Sequence, residues 1–137
     1  MKATRQKDSF GCGAACLASL LDISYEKAMT LFRNGRGKAS KKGFLCKEMI
    51  IALKKTGLGY QYKYLKPKIS GRIYETGTIV FIKRSKNYPP GHYLLRNNKR
   101  WMDPWINFRQ DKNIKKARAG FRKRLPGKPI YALFPNN

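Results

Sequence analysis

The amino-acid sequence predicts an α+β fold, because helix-forming segments occupy the first half of the chain and strand-forming segments the second. The chain has 137 residues, a length that suits one domain spanning residues 1–137. Hydrophobic residues make up 42% of the sequence, enough to form a core without disulfide or metal staples. We therefore expect N-terminal helices packed on an antiparallel sheet.

Three helices are expected before residue 57. Residues 13–21 are apolar on most sides and rich in alanine and leucine, which predicts a buried helix. Ser24 is placed to cap a second helix that runs to about residue 32. Residues 33–43 are basic and contain three glycines, so we expect a loop there. A third helix fits residues 45–55, and Gly57 is well placed to end it.

The hydrophobic period changes after residue 59. In residues 60–64 three tyrosines alternate with polar residues, as in a half-buried strand. Residues 97–99, Asn-Asn-Lys, are typical of a hairpin turn. Further strands are expected at 78–83, 92–96, 100–103 and 130–134.

The charge of the chain is its most unusual property. Lysine and arginine number 31 against 7 aspartates and glutamates, a formal net charge of +24. Such a chain attracts polyanions, namely nucleic acid, an anionic membrane surface or an acidic partner protein. The positive charge is concentrated in a basic segment, residues 109–128, and in the loop expected at 33–42. The candidate nucleic-acid-binding residues are Lys115, Lys116, Arg118, Arg122, Lys123 and Arg124.

Cysteine usage and hydropathy indicate the compartment. Three cysteines are an odd number and too few for a disulfide framework, which favours a reducing environment. The N-terminus lacks the apolar stretch of a signal peptide, and no apolar run is long enough for a transmembrane helix. We therefore expect a cytoplasmic protein, or one delivered into a target cell if it is a toxin domain.

Cys12 is the candidate nucleophile. It lies between two glycines at the start of the first expected helix. Unpaired backbone N–H groups and the positive end of the helix dipole stabilise a thiolate at such a position. Gln6 lies six residues earlier, where its amide is able to fold back and donate to an oxyanion together with the Cys12 backbone N–H.

His92 is the single histidine of the chain and lies at the start of an expected strand. Asp103 follows in the neighbouring strand, where its carboxylate is able to hold the imidazole in one tautomer. Simpler interpretations remain open, with Cys12 as a small core residue, His92 as a buried histidine and Asp103 as a turn residue. A metal site on Cys12, Cys16 and His92 lacks a fourth ligand at the usual spacing, so we expect no metal and no cofactor.

The order of these motifs resembles that of the papain-like cysteine peptidases, and most closely their C39 branch, the leader-cutting domains of bacteriocin-exporting transporters. The motifs that carry the resemblance are Gln6, Gly11-Cys12-Gly13-Ala14-Ala15-Cys16, Gly91-His92-Tyr93 and Asp103-Pro104. The resemblance implies that Cys12 is the nucleophile and His92 the general base and acid. It implies that Asp103 orients the histidine and that Gln6 donates to the oxyanion. It also implies a papain-like fold with the cysteine at a helix start and the histidine and aspartate on the sheet.

Two classes of function follow. The first is a cysteine hydrolase, a peptidase or amidase, that acts on a peptide or protein substrate. The second is a bacterial toxin domain of papain-like fold that acts on or binds RNA or DNA through its basic surface. An acidic immunity or inhibitor protein is a further expected partner.

Overall fold

The computed structural model describes residues 1–136, which form four α-helices followed by a six-stranded sheet. The helices are α1 (Cys12–Leu21), α2 (Tyr25–Met29), α3 (Gly35–Lys41) and α4 (Cys46–Lys55). The strands are β1 (Tyr60–Tyr64), β2 (Ile79–Ile82), β3 (His92–Asn97), β4 (Arg100–Asp103), β5 (Gly120–Arg122) and β6 (Pro129–Pro135). Short 3₁₀ helices lie at Ser70–Tyr74 and Ile114–Lys116. The predicted α+β class is confirmed.

Every pair of neighbouring strands in the sheet is antiparallel, and the spatial order is β1-β6-β2-β3-β4-β5. The last strand, β6, therefore lies between β1 and β2 and joins the first strand to the rest of the sheet. The hairpin predicted at residues 97–99 connects β3 to β4, and Asn98 adopts the left-handed conformation there (φ 55°).

Helix α1 packs directly on β3 and fixes the relation between the two halves of the fold. Its residues Ala14, Ala15, Cys16 and Leu17 are fully buried, which explains why the segment is apolar on nearly every side. Because α1 starts at Cys12 and β3 starts at His92, this packing brings the beginnings of the two elements together.

The sheet has a hydrophobic core on each face. Helices cover one face, where Leu17, Met49 and Leu53 pack with Leu95 and Met102 of the sheet. Connecting segments cover the other face. The core there contains Val80, Ile82, Leu94, Trp101 and Phe134. None of the helices in residues 1–136 is long and apolar enough to cross a membrane.

The glycine-rich segment after α2 was expected to be a loop, and that expectation is wrong. Residues Gly35–Lys41 form α3, in which Ala39 is fully buried and its carbonyl accepts a hydrogen bond from the N–H of Phe10. Gly35 approaches the Met29 carbonyl so closely that a Cβ would overlap it. Tertiary packing thus outweighs the poor helix propensity of glycine. Helix α2 in turn ends at Met29, short of the predicted residue 32, although Ser24 caps it as expected.

Strand β1 is less buried than its alternating pattern predicts. Only Tyr60 is buried, while Tyr62 and Tyr64 lie on the same face and are exposed. β1 is an edge strand, so the helix side of the sheet is uncovered beyond Tyr60. This uncovered part of the sheet contributes Tyr62 to the cleft described below.

The basic segment 109–128 contains a strand that the sequence did not predict. β5 is only three residues long and pairs with β4, with Asp103 opposite Gly120 and Trp101 opposite Arg122. A strand this short, flanked by lysine and arginine, has no readable hydrophobic period. The pairing is important because it brings Arg122 beside the end of β4.

Gly91, directly before His92, is a position where the backbone requires glycine. It has φ +74°, and a Cβ there would overlap the ring of Phe81. We predict that Gly91→Ala lowers the free energy of unfolding by about 2–4 kcal/mol, because it combines backbone strain with overpacking. Urea unfolding measures the change. Gly71→Ala is the matched control, because Gly71 has an ordinary φ and open space around it. An equal effect of both substitutions would contradict this account.

Candidate active site

Cys12 is the first residue of α1, and its thiol is half-buried in the wall of a cleft. The backbone N–H of Tyr93 donates a hydrogen bond to Cys12 Sγ over 3.4 Å. The first backbone N–H groups of a helix have no partner within it, so the sulfur lies among donors that favour its anionic form.

Gly11 is required by close packing in front of the cysteine. A Cβ at residue 11 would overlap the hydroxyl of Tyr25, which donates a 2.7 Å hydrogen bond to Asp8 Oδ2. The Gly11 N–H also donates to the Asp8 carbonyl. These contacts hold the turn from which α1 starts, so they fix where the Cys12 sulfur lies.

His92 is 5% exposed, and its Nε2 donates a 2.7 Å hydrogen bond to Asp103 Oδ1. The ring of Tyr88 stacks on the imidazole with a centroid distance of 5.2 Å and an interplanar angle of 22°. With Nε2 held by the carboxylate, Nδ1 is the ring nitrogen left for Cys12. Burial alone would lower the pKa of His92. The charges and hydrogen bonds of Asp103 and Cys12 together raise this pKa by a larger amount, so the net pKa is well above the usual value.

Asp103 is completely buried, and both of its carboxylate oxygens accept hydrogen bonds. Oδ1 accepts from His92 and from the Trp105 backbone N–H at 3.0 Å, while Oδ2 accepts from Arg122 Nη1 at 3.1 Å. Burial raises the pKa of Asp103, but the imidazolium and these donors lower it more, so the net pKa falls below its usual range. Asp103 is thus held as a carboxylate.

Gln6 lies in the wall of the same cleft and is 1% exposed. Its backbone N–H donates to the carbonyl of Pro104, which ties the N-terminal segment to the end of β4. The side-chain Nε2 donates to the carbonyls of Asp8 and Ser9 at 3.0 and 3.2 Å, and Oε1 has no partner. In this arrangement neither amide hydrogen is directed at the cleft, so the oxyanion role of Gln6 stays a prediction.

The cleft has a volume of about 690 Å³ and extends from Cys12 and His92 towards the uncovered end of the sheet. Aromatic side chains form much of its lining: Phe10, Phe44, Tyr62, Phe81, Tyr88, Tyr93, Trp105, Phe108 and Tyr131. The charged residues in the lining, apart from the catalytic candidates, are Lys42, Lys47, Lys83 and Arg84, all of them cationic. The cleft therefore suits a ligand with apolar and acidic groups.

The other two cysteines lie in different surroundings. Cys16 is fully buried in the core and Cys46, in the cleft wall, lies 3.6 Å from the Tyr93 hydroxyl. Burial raises the pKa of both thiols, which disfavours the reactive thiolate. Within residues 1–136, no group of three histidine, cysteine or acidic side chains is placed to hold a metal ion.

Five of the six candidate nucleic-acid-binding residues are exposed: Lys115, Lys116, Arg118, Lys123 and Arg124. The sixth, Arg122, is instead half-buried against Asp103. The sequence does not indicate this contact, because it joins segments that are not adjacent in the chain. It also does not indicate the stacking of Tyr88 on His92, because the irregular turn between the two residues has no recognisable pattern.

Comparison with known structures identifies the fold. The peptidase domain of Streptococcus ComA, a bi-functional ABC transporter involved in quorum sensing, superposes with a TM-score of 0.63 over 98% of this chain and 96% of its own. The peptidase domain of Streptococcus mutans ComA superposes with a TM-score of 0.58 over 100% of both chains. Each is 20% identical to this chain in sequence. The chain has the C39-like papain fold.

The fold predicted from the resemblance is therefore confirmed, with a cysteine at the start of the first helix of a papain-like architecture. No family model matches the sequence, and no curated protein matches it significantly. The functional conclusion consequently depends on the geometry of the cleft.

We predict that the imidazole of His92 titrates above the ordinary value of about 6.5. Because His92 is the only histidine, its ring protons are unambiguous in a proton NMR titration. Asp103→Asn removes the carboxylate that favours the imidazolium, so burial then dominates and the pKa falls. The raised value also means that the His92–Asp103 ion pair stabilises the fold fully between about pH 4 and pH 6.5, the ordinary pKa values of the two groups. This contribution is lost as the pH rises through the raised pKa of His92, and again as the pH falls through the lowered pKa of Asp103.

Asp22→Asn is the matched control for this titration, since it removes the same charge at the far end of α1. We expect it to leave the His92 titration unchanged. A wild-type pKa below the ordinary value, or an equal shift in both variants, would contradict the proposed ion pair.

Proposed function

We propose that the chain is a cysteine peptidase in which Cys12, His92 and Asp103 act as a catalytic triad. The observation that carries the proposal is that Cys12 and His92 lie in one cleft wall, at the starts of α1 and β3, and that Asp103 at the end of β4 is buried behind His92 and hydrogen-bonded to it. The C39-like papain fold supports it, because that fold is shared with the peptidase domains of ComA.

In the proposed mechanism His92 Nδ1 takes the thiol proton of Cys12, and the thiolate attacks the carbonyl carbon of the scissile peptide bond. The carbonyl oxygen becomes an oxyanion, to which the Cys12 backbone N–H donates. The imidazolium then gives its proton to the leaving amine, and the C–N bond breaks to leave a thioester. Water activated by His92 attacks the thioester, which releases the carboxylic acid and restores the thiol.

Asp103 has a supporting role in these steps. Its hydrogen bond to Nε2 holds the ring with Nδ1 towards the cysteine, and its charge stabilises the imidazolium that forms twice in the cycle. Gln6 supports the oxyanion only if its amide turns away from the carbonyls of Asp8 and Ser9.

The lining of the cleft supports a peptide substrate with apolar and acidic side chains near the cleaved bond. Its aromatic walls favour apolar groups. The nearby cations Lys42, Lys47 and Lys83 favour carboxylates and disfavour a basic peptide.

We expect iodoacetamide to label Cys12 faster than Cys46 near pH 6, and Cys16 to remain unlabelled, when the sites are read by mass spectrometry.

In a mixed peptide library we expect cleavage that Cys12→Ala abolishes and that His92→Ala slows by about 10²–10⁴-fold. The peptides that are cut are expected to be rich in acidic and apolar residues. Cleavage that persists in Cys12→Ala, or equal labelling of Cys12 and Cys46, would contradict the proposal.

A second candidate function is polyanion binding by the basic segment 109–128. Among residues 1–136, only Lys7, Lys38 and Arg122 of the 31 lysines and arginines lie within salt-bridge distance of an acid. The exposed cations of the basic segment are thus free to meet phosphates. Each phosphate neutralised releases counterions, which makes the affinity for nucleic acid depend on salt.

We predict that single-stranded RNA binds with a log affinity that falls linearly with log salt, by about 0.7 per phosphate contact. Changing Lys115, Lys116, Arg118, Lys123 and Arg124 together to glutamine should weaken binding and flatten the slope. The control changes five other exposed lysines, which are Lys2, Lys54, Lys63, Lys66 and Lys68. Equal loss in both variants would show that net charge alone, and not the basic segment, binds the RNA.

A further inference from the structure

Arg122 differs from the other cations of the basic segment because it is directed inward. Its Nη1 donates to Asp103 Oδ2 over 3.1 Å, and its Nε donates to the carbonyl of Arg124 over 2.9 Å. The second bond fixes the guanidinium in the orientation that the first one needs. The pairing of β5 with β4 brings the two residues together, with Gly120 directly opposite Asp103.

The carboxylate of Asp103 would be incompletely bonded without this contact. Oδ1 is shared by His92 and the Trp105 N–H, whereas Arg122 is the hydrogen-bond donor to Oδ2 among the described residues. A fully buried carboxylate that loses a charged donor pays a large desolvation cost, or else turns to find another partner. A turn of the Asp103 side chain would break its bond to His92.

We propose that Arg122 is a positioning residue for the active site, which acts through Asp103 to hold His92 and to set the charge balance beside Cys12. The inference rests on the proposed function, because it has Arg122 act, through Asp103, on the thiolate of Cys12 and the imidazolium of His92 that form when His92 takes the thiol proton. It also removes Arg122 from the set of cations available to a nucleic acid.

The charge balance follows from the order of the groups. Arg122, Asp103, His92 and Cys12 alternate in sign along a continuous chain of contacts when the thiolate–imidazolium pair forms. The guanidinium offsets part of the negative charge that Asp103 presents to the thiolate. Without it, the thiolate is less stable and the imidazolium more stable, so both groups give up their protons at higher pH.

Other titratable and charged groups also face this chain of contacts. They are Cys16 of α1, Tyr93 of β3 and Tyr88 in the connection before β3, and Arg109 lies near Tyr88. All of them are unchanged in the variants below, so a difference between variants reports on Arg122.

The test is the rate of Cys12 alkylation by iodoacetamide as a function of pH, read at Cys12 by mass spectrometry, which needs no knowledge of the substrate. We expect Arg122→Gln to move the midpoint of the profile upward by roughly 0.5–1 pH unit. Arg122→Lys should restore part of the shift. Arg124→Gln is the matched control. It removes the same charge only two residues away, and the Arg124 side chain has no acid partner in residues 1–136.

A double variant separates positioning from a general charge or folding effect. If Arg122 acts through Asp103, then Arg122→Gln shifts the profile much less in an Asp103→Asn background than in wild type. Urea unfolding of each variant identifies any that fails to fold, and Arg122→Lys keeps the test informative in that case.

The failure of this inference is distinguishable from failure of the proposed function. A profile for Arg122→Gln that matches Arg124→Gln, or an equal shift in the Asp103→Asn background, overturns the role of Arg122. A wild-type Cys12 that reacts only as an ordinary thiol, with no reactivity near pH 6, overturns the catalytic triad itself.

Discussion

The rest of the site depends on the hydrogen bonds that the buried carboxylate of Asp103 accepts. An isolated carboxylate in a protein interior is unfavourable by several kcal/mol, so its neighbours must be in place for the fold to tolerate it. They come from three places: His92 at the start of β3, the backbone of Trp105 just after β4, and Arg122 on β5. The short strand β5 contributes little to the hydrophobic core. It is needed because its Arg122 pairs with the charged Asp103 at the end of β4.

Tyr93 makes the corresponding connection on the helix side of the sheet. Its backbone N–H donates to Cys12 Sγ, its hydroxyl donates to the Phe44 carbonyl, and the same hydroxyl lies near Cys46. Tyr93 thus links the starts of α1 and α4, and it directly follows His92 in the sequence. Because packed side chains transmit displacements, a shift of α4 would move β3 and with it the imidazole.

Local signals in the sequence predict more of this protein than its non-local contacts do. The helix cap at Ser24, the stop at Gly57 and the hairpin at Asn98 follow from residue type alone, and all three are present. Cys12 and His92 are also identifiable, one from its flanking glycines and the other because it has no competitor. Helix α3 and strand β5 are not identifiable, because buried contacts made by distant segments stabilise them. The same applies to the contact of Arg122 with Asp103. The amide of Gln6 differs, because its hydrogens are directed at carbonyls only two and three residues away, in a turn whose geometry residue type does not predict.

The excess of positive charge creates one electrostatic potential, which would affect both candidate functions. Phe108 lines the cleft, and Arg109, the first residue of the basic segment, follows it directly in the chain. Exposed charges separated by less than about 10 Å are only partly screened at moderate ionic strength. A polyanion bound along the basic segment would therefore reduce the positive potential in the part of the cleft that Phe108 lines. The two kinds of ligand are then expected to compete through electrostatics even if they share no contact. If the chain cleaves acidic peptides and binds nucleic acid as proposed, the two properties are expected to be coupled, and each is to be measured with the other ligand absent.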